Sequence, residues 1–165
     1  MIKFIKVENI KELAALASEI WHEYWVEILS LEQIDYMVEN FQSETAINKQ
    51  IAKDNYTYFY INYNKENVGY IGLSTKKDHL FLSKLYIKKD FRHKGLGTKS
   101  FEFIKEFART NNYNRIILTV NKYNSNTIAA YKKWGFIEID SVVTDIGKGF
   151  VMDDYIMEYE SYRRE

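Results

Sequence analysis

The sequence predicts an α/β fold of the α+β type: a mixed, mostly antiparallel sheet of about seven strands with helices on both faces. Three observations predict it. A strand-like run, His79 to Ile87, leads through a turn containing Gly95 and Gly97 into a helix-like run that lasts to about Asn111. The middle of the chain holds three strand-like runs joined by short polar turns, the pattern of an antiparallel meander. Elsewhere apolar residues recur either at every second position or at helical spacing, in the order β-α-α-β-β-β-α-β-α-β-β.

Taken in order, Ile2 to Val7 alternates apolar and charged residues and reads as the first strand. Asn9 caps a helix through about His22, with Ile10, Leu13, Leu16, Ala17 and Ile20 on its buried face. Ser30 is a second N-cap, and Gln33 three residues on completes a capping box. That helix is expected to bury Leu31, Ile34, Met37, Val38 and Phe41, and a further helical piece runs from Glu44 to Ile51. The meander comprises Tyr56 to Tyr63, Val68 to Ser74 and Leu80 to Ile87, with turns at Asn64-Lys65-Glu66-Asn67 and Lys76-Lys77-Asp78. After the glycine turn, Leu96, Ser100, Phe103, Ile104 and Phe107 form a helical core face that Asn111-Asn112 terminates. Arg115 to Val120 is a strand, and Asn124 to Trp134 a short helix stopped by Gly135. Phe136 to Thr144 and Val151 to Tyr159 are the last strands, joined through Gly147-Lys148-Gly149. The pair of strands flanking the long central helix is expected to be parallel, because a helical crossover connects them. Arg163-Arg164 reads as a frayed tail. With no repeat, low-complexity segment or linker, one domain over residues 1–165 is expected.

Composition excludes several function classes. The formal net charge is +0, which argues against nucleic acid as the main partner. There is no Cys, so disulfides, thiolate metal sites and a cysteine nucleophile are excluded. None of His22, His79 and His93 has i, i+4 spacing with another, so no metal site is expected. No apolar run is long enough to span a bilayer, and Met1 to Lys6 lacks a signal-peptide apolar core. The expectation is a cytoplasmic protein without a membrane partner.

The stretch Arg92-His93-Lys94-Gly95-Leu96-Gly97-Thr98 carries the clearest chemistry. The first four N–H groups of a helix have no partner within it, and the helix dipole favours negative charge at that end. Gly95 and Gly97 admit a close backbone approach, and Arg92, His93 and Lys94 add donors and positive charge. This suits a pyrophosphate. The spacing is not that of a P-loop, and it lacks the third glycine and the distal acidic residue of a dinucleotide fingerprint. What remains is Arg-x-x-Gly-x-Gly between an antiparallel strand and a helix.

Here the chain resembles the GNAT superfamily of N-acetyltransferases, whose members carry Arg/Gln-x-x-Gly-x-Gly/Ala at this turn. A second segment, Val120 to Phe136, looks like the family's Asn-x-x-Ala-x-x-x-Tyr-x-x-x-Gly-Phe, through Asn124, Tyr131, Gly135 and Phe136. Leu85-Tyr86-Ile87 resembles the family's cofactor-facing strand. Two positions depart from the pattern: Lys89 lies where a Pro is frequent, and Thr127 replaces the usual Ala.

The resemblance implies direct transfer of an acetyl group from acetyl-coenzyme A to a primary amine. It places the pyrophosphate on the backbone of His93 to Thr98, with the Thr98 hydroxyl, and the pantetheine arm along Leu85, Tyr86 and Ile87. There one N–H, of Leu85 or Tyr86, polarises the acetyl carbonyl. Asn124 matches the asparagine that bonds the arm, with Asn121 and Asn126 as further candidates, and Tyr131 matches the tyrosine that protonates the leaving thiolate. Candidate bases are Glu23, Glu27, Asp35, Asp153 and Asp154, with a water chain as the alternative. Trp21, Tyr24, Trp25, Tyr36 and Phe41 form an aromatic cluster that is either core or pocket wall. As a wall beside Glu23 and Glu27 it would suit a cationic amine. Asp153 and Asp154 follow a glycine-rich hairpin that could close over substrate. The expected acceptor is a small-molecule amine such as a polyamine or amino sugar, the alternatives being a protein N-terminus or lysine, or a non-catalytic acyl-coenzyme A sensor. A monomer or homodimer is expected.

Overall fold

The computed structural model describes residues 1–161; Arg163 and Arg164 lie outside them. Among the described residues the order is β1 (Ile2–Lys6), α1 (Ile10–Tyr24), α2 (Leu31–Phe41), α3 (Glu44–Lys53), β2 (Tyr56–Tyr63), β3 (Glu66–Thr75), β4 (Leu80–Ile87), α4 (Leu96–Thr110), β5 (Arg115–Asn121), α5 (Ser125–Trp134), β6 (Ile137–Gly147) and β7 (Phe150–Glu160). Relative to the order read from sequence there is one more helix. α3 is capped by Ser43, whose hydroxyl accepts from the Ala46 N–H at 3.2 Å. It buries only Ile47, so its apolar period is faint.

Local signals set the helix ends. Asn9 accepts from the Glu12 N–H at 3.0 Å and Ser30 from the Gln33 N–H at 3.1 Å. The capping box of α2 is only half made, because the Gln33 amide donates to the Val151 carbonyl at 3.1 Å instead. Leu31 is 63% exposed, contrary to its expected burial. It sits in the first turn of α2, ahead of Ile34, the first residue of that helix to be buried. α4 stops at left-handed Asn112, with the Tyr113 N–H on the Ala108 carbonyl at 2.8 Å. α5 stops at left-handed Gly135, with the Phe136 N–H on the Tyr131 carbonyl at 3.0 Å. Both are Schellman closures.

The sheet order is β1-β2-β3-β4-β5-β7-β6. Every pair is antiparallel except β4 and β5, which flank α4. Side-chain alternation along β2 separates two cores. Tyr58 and Tyr60 join Leu13, Ile20, Ile34 and Ile47 of α1 to α3. Ile61 joins Phe101 and Ile104 of α4 and Tyr131 of α5. Phe101, absent from the expected core face of α4, is 2% exposed and stacks on Trp134 at 5.1 Å. Phe103 and Phe107 are half-buried against Phe59, at the edge of that face.

β4 is pulled tightly against β3. A Cβ at Gly69 would lie 2.3 Å from the Tyr86 carbonyl oxygen and 3.1 Å from the Ile87 Cα, so backbone would have to move. Gly69→Ala is therefore expected to destabilise the protein by about 2 kcal/mol or more. Urea unfolding of the variant beside the parent measures this.

Candidate active site

The site begins where β4 leaves β5. Their ladder holds only Leu80 with Ile116 and Phe81 with Ile117. Beyond Phe81, β4 continues to Ile87 paired with β3 alone. Backbone groups on its β5 side are thus presented to an incoming ligand, which can satisfy them as a further strand would. A cleft of about 400 Å³ runs from this opening to the glycine turn. Leu85, Ile87, Arg92, His93, Leu96, Gly97, Asn124, Asn126 and Tyr131 all line it.

The turn has the conformation that the sequence suggests. Gly95 is left-handed at φ 77°, and His93 is left-handed at φ 63°. A Cβ at Gly95 would meet no atom within 4 Å, so the backbone faces open space. The first α-helical bond of α4 runs from the Lys99 N–H to the Gly95 carbonyl, at 3.2 Å. The preceding N–H groups of Leu96, Gly97 and Thr98 have no acceptor within the helix. Lys94 and Thr98 are exposed beside them. Gly97 serves packing as well: its Cβ would lie 3.5 Å from the Trp134 ring.

Arg92 turns toward α1. Its Nε donates to the Ile87 carbonyl at 2.9 Å, its guanidinium lies 4.8 Å from the Tyr24 ring centroid, and Nη2 lies 3.6 Å from Glu23 Oε1. Glu23 also accepts the Lys89 N–H. The end of α1 is thereby fastened to the chain entering the glycine turn. Tyr24 spans the cleft. Its hydroxyl accepts from Asn124 Nδ2 at 2.6 Å and shares a 2.6 Å hydrogen bond with Thr127 Oγ1. Asn124 is the N-cap of α5, but its side chain makes this bond rather than a capping bond. Thr127, the departure from the family pattern, supplies the hydroxyl that anchors Tyr24. Asn121 is spent on its own turn, its Oδ1 accepting the Tyr123 N–H at 2.9 Å.

A smaller pocket of about 90 Å³ continues behind the cleft. Tyr24, Trp25, Ser83, Tyr86, Asn121, Tyr131, Met152 and Asp154 are among its lining residues. The aromatic cluster divides accordingly. Trp21 is core, 6% exposed, with Nε1 donating to the Tyr70 hydroxyl at 2.6 Å. Tyr24 and Trp25 line the smaller pocket, although Trp25, 4% exposed, belongs to the same core as Trp21. Tyr36 lies apart, holding the β6–β7 hairpin: its hydroxyl donates to the Ile146 carbonyl at 2.6 Å and its ring meets Phe150 at 5.3 Å. A Cβ at Gly147 would lie 2.3 Å from that hydroxyl.

The five candidate bases are sorted by their partners. Glu23 is engaged by Arg92 and the Lys89 N–H. Asp35 is paired with His22 at 2.5 Å. Asp153 is paired with Lys122 at 2.9 Å. Glu27 is exposed at the cleft rim. Asp154 is 8% exposed within the smaller pocket, and neighbouring strand positions put its side chain on the opposite face from Asp153. Burial, and next the Asp153 charge, push its carboxyl up to about 6, against the opposing effect of Lys122. Tyr131 is 8% exposed, packed against Trp134 and Phe136 at 5.6 and 5.5 Å. Burial raises its phenol above the ordinary value, so it keeps its proton at neutral pH.

One buried ionisable group has no counterpart in the sequence reading. Lys84 of β4 is 6% exposed. Its signal in sequence was a lone lysine within the apolar strand Leu80 to Ile87.

Residues 17–136 match the model of the family described as Acetyltransferase (GNAT) family. An uncharacterized N-acetyltransferase in the pepI 3′ region of Lactobacillus delbrueckii subsp. lactis is 23% identical over 156 residues, covering 88% of this chain and 90% of its own. The crystal structure of the PaiA N-acetyltransferase from Thermoplasma acidophilum in complex with coenzyme A superposes with a TM-score of 0.81 at 22% identity, over 97% of this chain and 99% of that one. The ribosomal-protein-S18-alanine N-acetyltransferase from Escherichia coli does so with a TM-score of 0.72 at 17% identity, over 100% and 97%.

The pairing that occupies Asp35 has a measurable signature. The Asp35 hydrogen bond, and next the Ser18 carbonyl, raise the His22 imidazole above its ordinary value. A histidine raised on folding contributes stability that is complete below its unfolded value and lost as pH rises through its folded one. Thermal stability is expected to fall slightly as pH rises above about 6.5. The fall should be smaller in His22→Gln, which thermal melts across neutral pH would reveal.

Proposed function

The chain belongs to the GNAT family of acetyltransferases, and from that premise we propose that it moves the acetyl group of acetyl-coenzyme A directly to the primary amine of a small molecule, such as a polyamine or amino sugar. One observation carries the reading: the glycine turn, the free edge of β4 and Tyr131 line a single cleft, and a small pocket with one buried carboxylate adjoins it. The Thermoplasma relative was crystallised with coenzyme A, which supports the donor. The residues fit that donor. The N-terminal amides of α4 and the open space at Gly95 suit its pyrophosphate, and the unpaired edge of β4 suits the amides of its arm.

In this reading the amine enters the smaller pocket, which the rings of Tyr24, Trp25 and Tyr86 help to line and so suit to a cation. Asp154 takes the proton that the ammonium must lose. The amine nitrogen then attacks the thioester carbonyl, and the backbone N–H of Leu85, which the alternation of the β3–β4 ladder leaves on the free edge, stabilises the resulting oxyanion. As the intermediate collapses the carbon–sulfur bond breaks, Tyr131 donates its proton to the leaving thiolate, and the proton that the acetylated nitrogen sheds restores the phenol. Holding amine and thioester together supplies most of the acceleration. The pocket is a few times smaller than the donor cleft, which favours a slender amine over a folded protein surface.

The deciding experiment is an acceptor screen read by release of free thiol from acetyl-coenzyme A. Turnover of a polyamine or amino sugar is expected; turnover confined to peptides would overturn the acceptor class. Tyr131→Phe is expected to lower kcat by about 100-fold. For the parent, kcat/KM should rise with pH through about 6, where Asp154 gives up its proton. Asp154→Asn should abolish that limb; a profile identical to the parent's would remove Asp154 from the role.

A further inference from the structure

Lys84 lies on the far side of β4 from the cleft, in a closed polar nest. Its ammonium donates to the Phe41 carbonyl at 3.1 Å, to Gln50 Oε1 at 3.1 Å and to the Tyr58 hydroxyl oxygen. These three acceptors match the three N–H groups of an ammonium. The Tyr58 hydroxyl donates onward to Gln50 Oε1 at 2.5 Å. The rings of Tyr58 and Tyr56 face the charge at 4.9 and 5.6 Å. Phe41 is the last residue of α2, so its carbonyl belongs to the negative end of that helix. No carboxylate among the described residues pairs with this lysine. Burial pushes it down to about 7.

An ammonium held this way is a poor source of stability, because taking it out of water costs more than its neutral partners return. A methionine would fill the same volume without that cost. What the lysine adds is direction. One side chain ties β4 to the end of α2, to α3 and to β2.

The backbone beside it needs that restraint. Gly72 pairs with Lys84 and Leu73 with Leu82, so Ser83 is an extra residue that bulges from the β3–β4 ladder. The β5 ladder has already ended at Phe81. Between Leu82 and Leu85 the strand is therefore irregular on one side and unpaired on the other. Lys84 interlocks with its neighbours here. A Cβ at Gly72 would lie 2.9 Å from the Tyr58 ring and 3.3 Å from the Lys84 Cβ.

We propose that Lys84 is a positioning residue for acetyl transfer, fixing the peptide planes of Leu85 and Tyr86 so that a backbone N–H meets the acetyl carbonyl oxygen. The proposal rests on the acetyl-coenzyme A reading above. Lys84 touches neither substrate and acts through the strand that carries it.

Isotope-edited infrared spectroscopy of bound acetyl-coenzyme A, labelled at the acetyl carbonyl, tests this directly. In the parent protein the carbonyl stretch should lie below that of the free thioester. In Lys84→Met it should return toward the free value. With it kcat should fall on the order of tenfold to a hundredfold, while the KM for acetyl-coenzyme A changes little. Should Lys84→Met not fold, Tyr58→Phe keeps the lysine and removes one of its acceptors, and the same shifts are expected at smaller size. A purely structural lysine would lower the melting temperature and leave the stretch unmoved. A folded variant with parental stretch and kcat overturns the proposal alone. Failure of the parent to bind acetyl-coenzyme A overturns it together with the function on which it rests.

Discussion

The parting of β4 from β5 is the constraint on which the rest of this structure depends. Two parallel strands normally satisfy each other's backbone along their whole overlap. Here they do so for two residue pairs and then separate. The separation opens the cleft, and α4 starts at its edge because the chain must cross from the end of β4 to the start of β5. The same crossover that makes the pair parallel therefore delivers a helix N-terminus beside unpaired strand edge. A helix end suited to an anion and a strand edge suited to an extended amide-bearing chain become neighbours through topology alone.

An opened sheet needs support from elsewhere, and the polar contacts around it supply that support. Glu23, Arg92 and the Lys89 amide fasten α1 to the entry of the glycine turn. Tyr24 reaches across to Asn124 and Thr127 on the α5 side. On the other face Lys84 ties the irregular part of β4 to α2, α3 and β2. Each contact joins an element bordering the cleft to one that does not rely on the β4–β5 ladder. The Tyr36 hydroxyl and the Gln33 amide do the same for the β6–β7 hairpin, holding it on α2.

Much of this was legible in the chain, for reasons that are local. Asn9, Ser30, Asn112 and Gly135 act within a few residues of themselves, so their signals survive reading one segment at a time. The parallel pair followed from the length of its connection. α3 was faint because it buries a single residue, Ile47. Leu31 misled because helical spacing says which residues share a stripe, but not how far along that stripe the neighbouring element reaches. Phe101 was passed over for a similar reason: the stripe that α4 buries is wider than the minimal repeat.

Residue types and spacing alone determined the glycine turn, the helix behind it, the strand before it and the tyrosine-bearing segment after it, since each is a matter of backbone conformation or helical period. Tertiary structure alone decided which of five acidic residues is buried without a cationic partner. Glu23, Asp35 and Asp153 are distinguished from Asp154 by cationic partners 69, 13 and 31 positions away, namely Arg92, His22 and Lys122. It likewise decided that Trp21 and Trp25 share one core while Trp25 also lines the smaller pocket, and that Lys84 is buried at all. A side chain's charge state and role depend on what surrounds it, and those surroundings come from distant parts of the chain that only folding brings together.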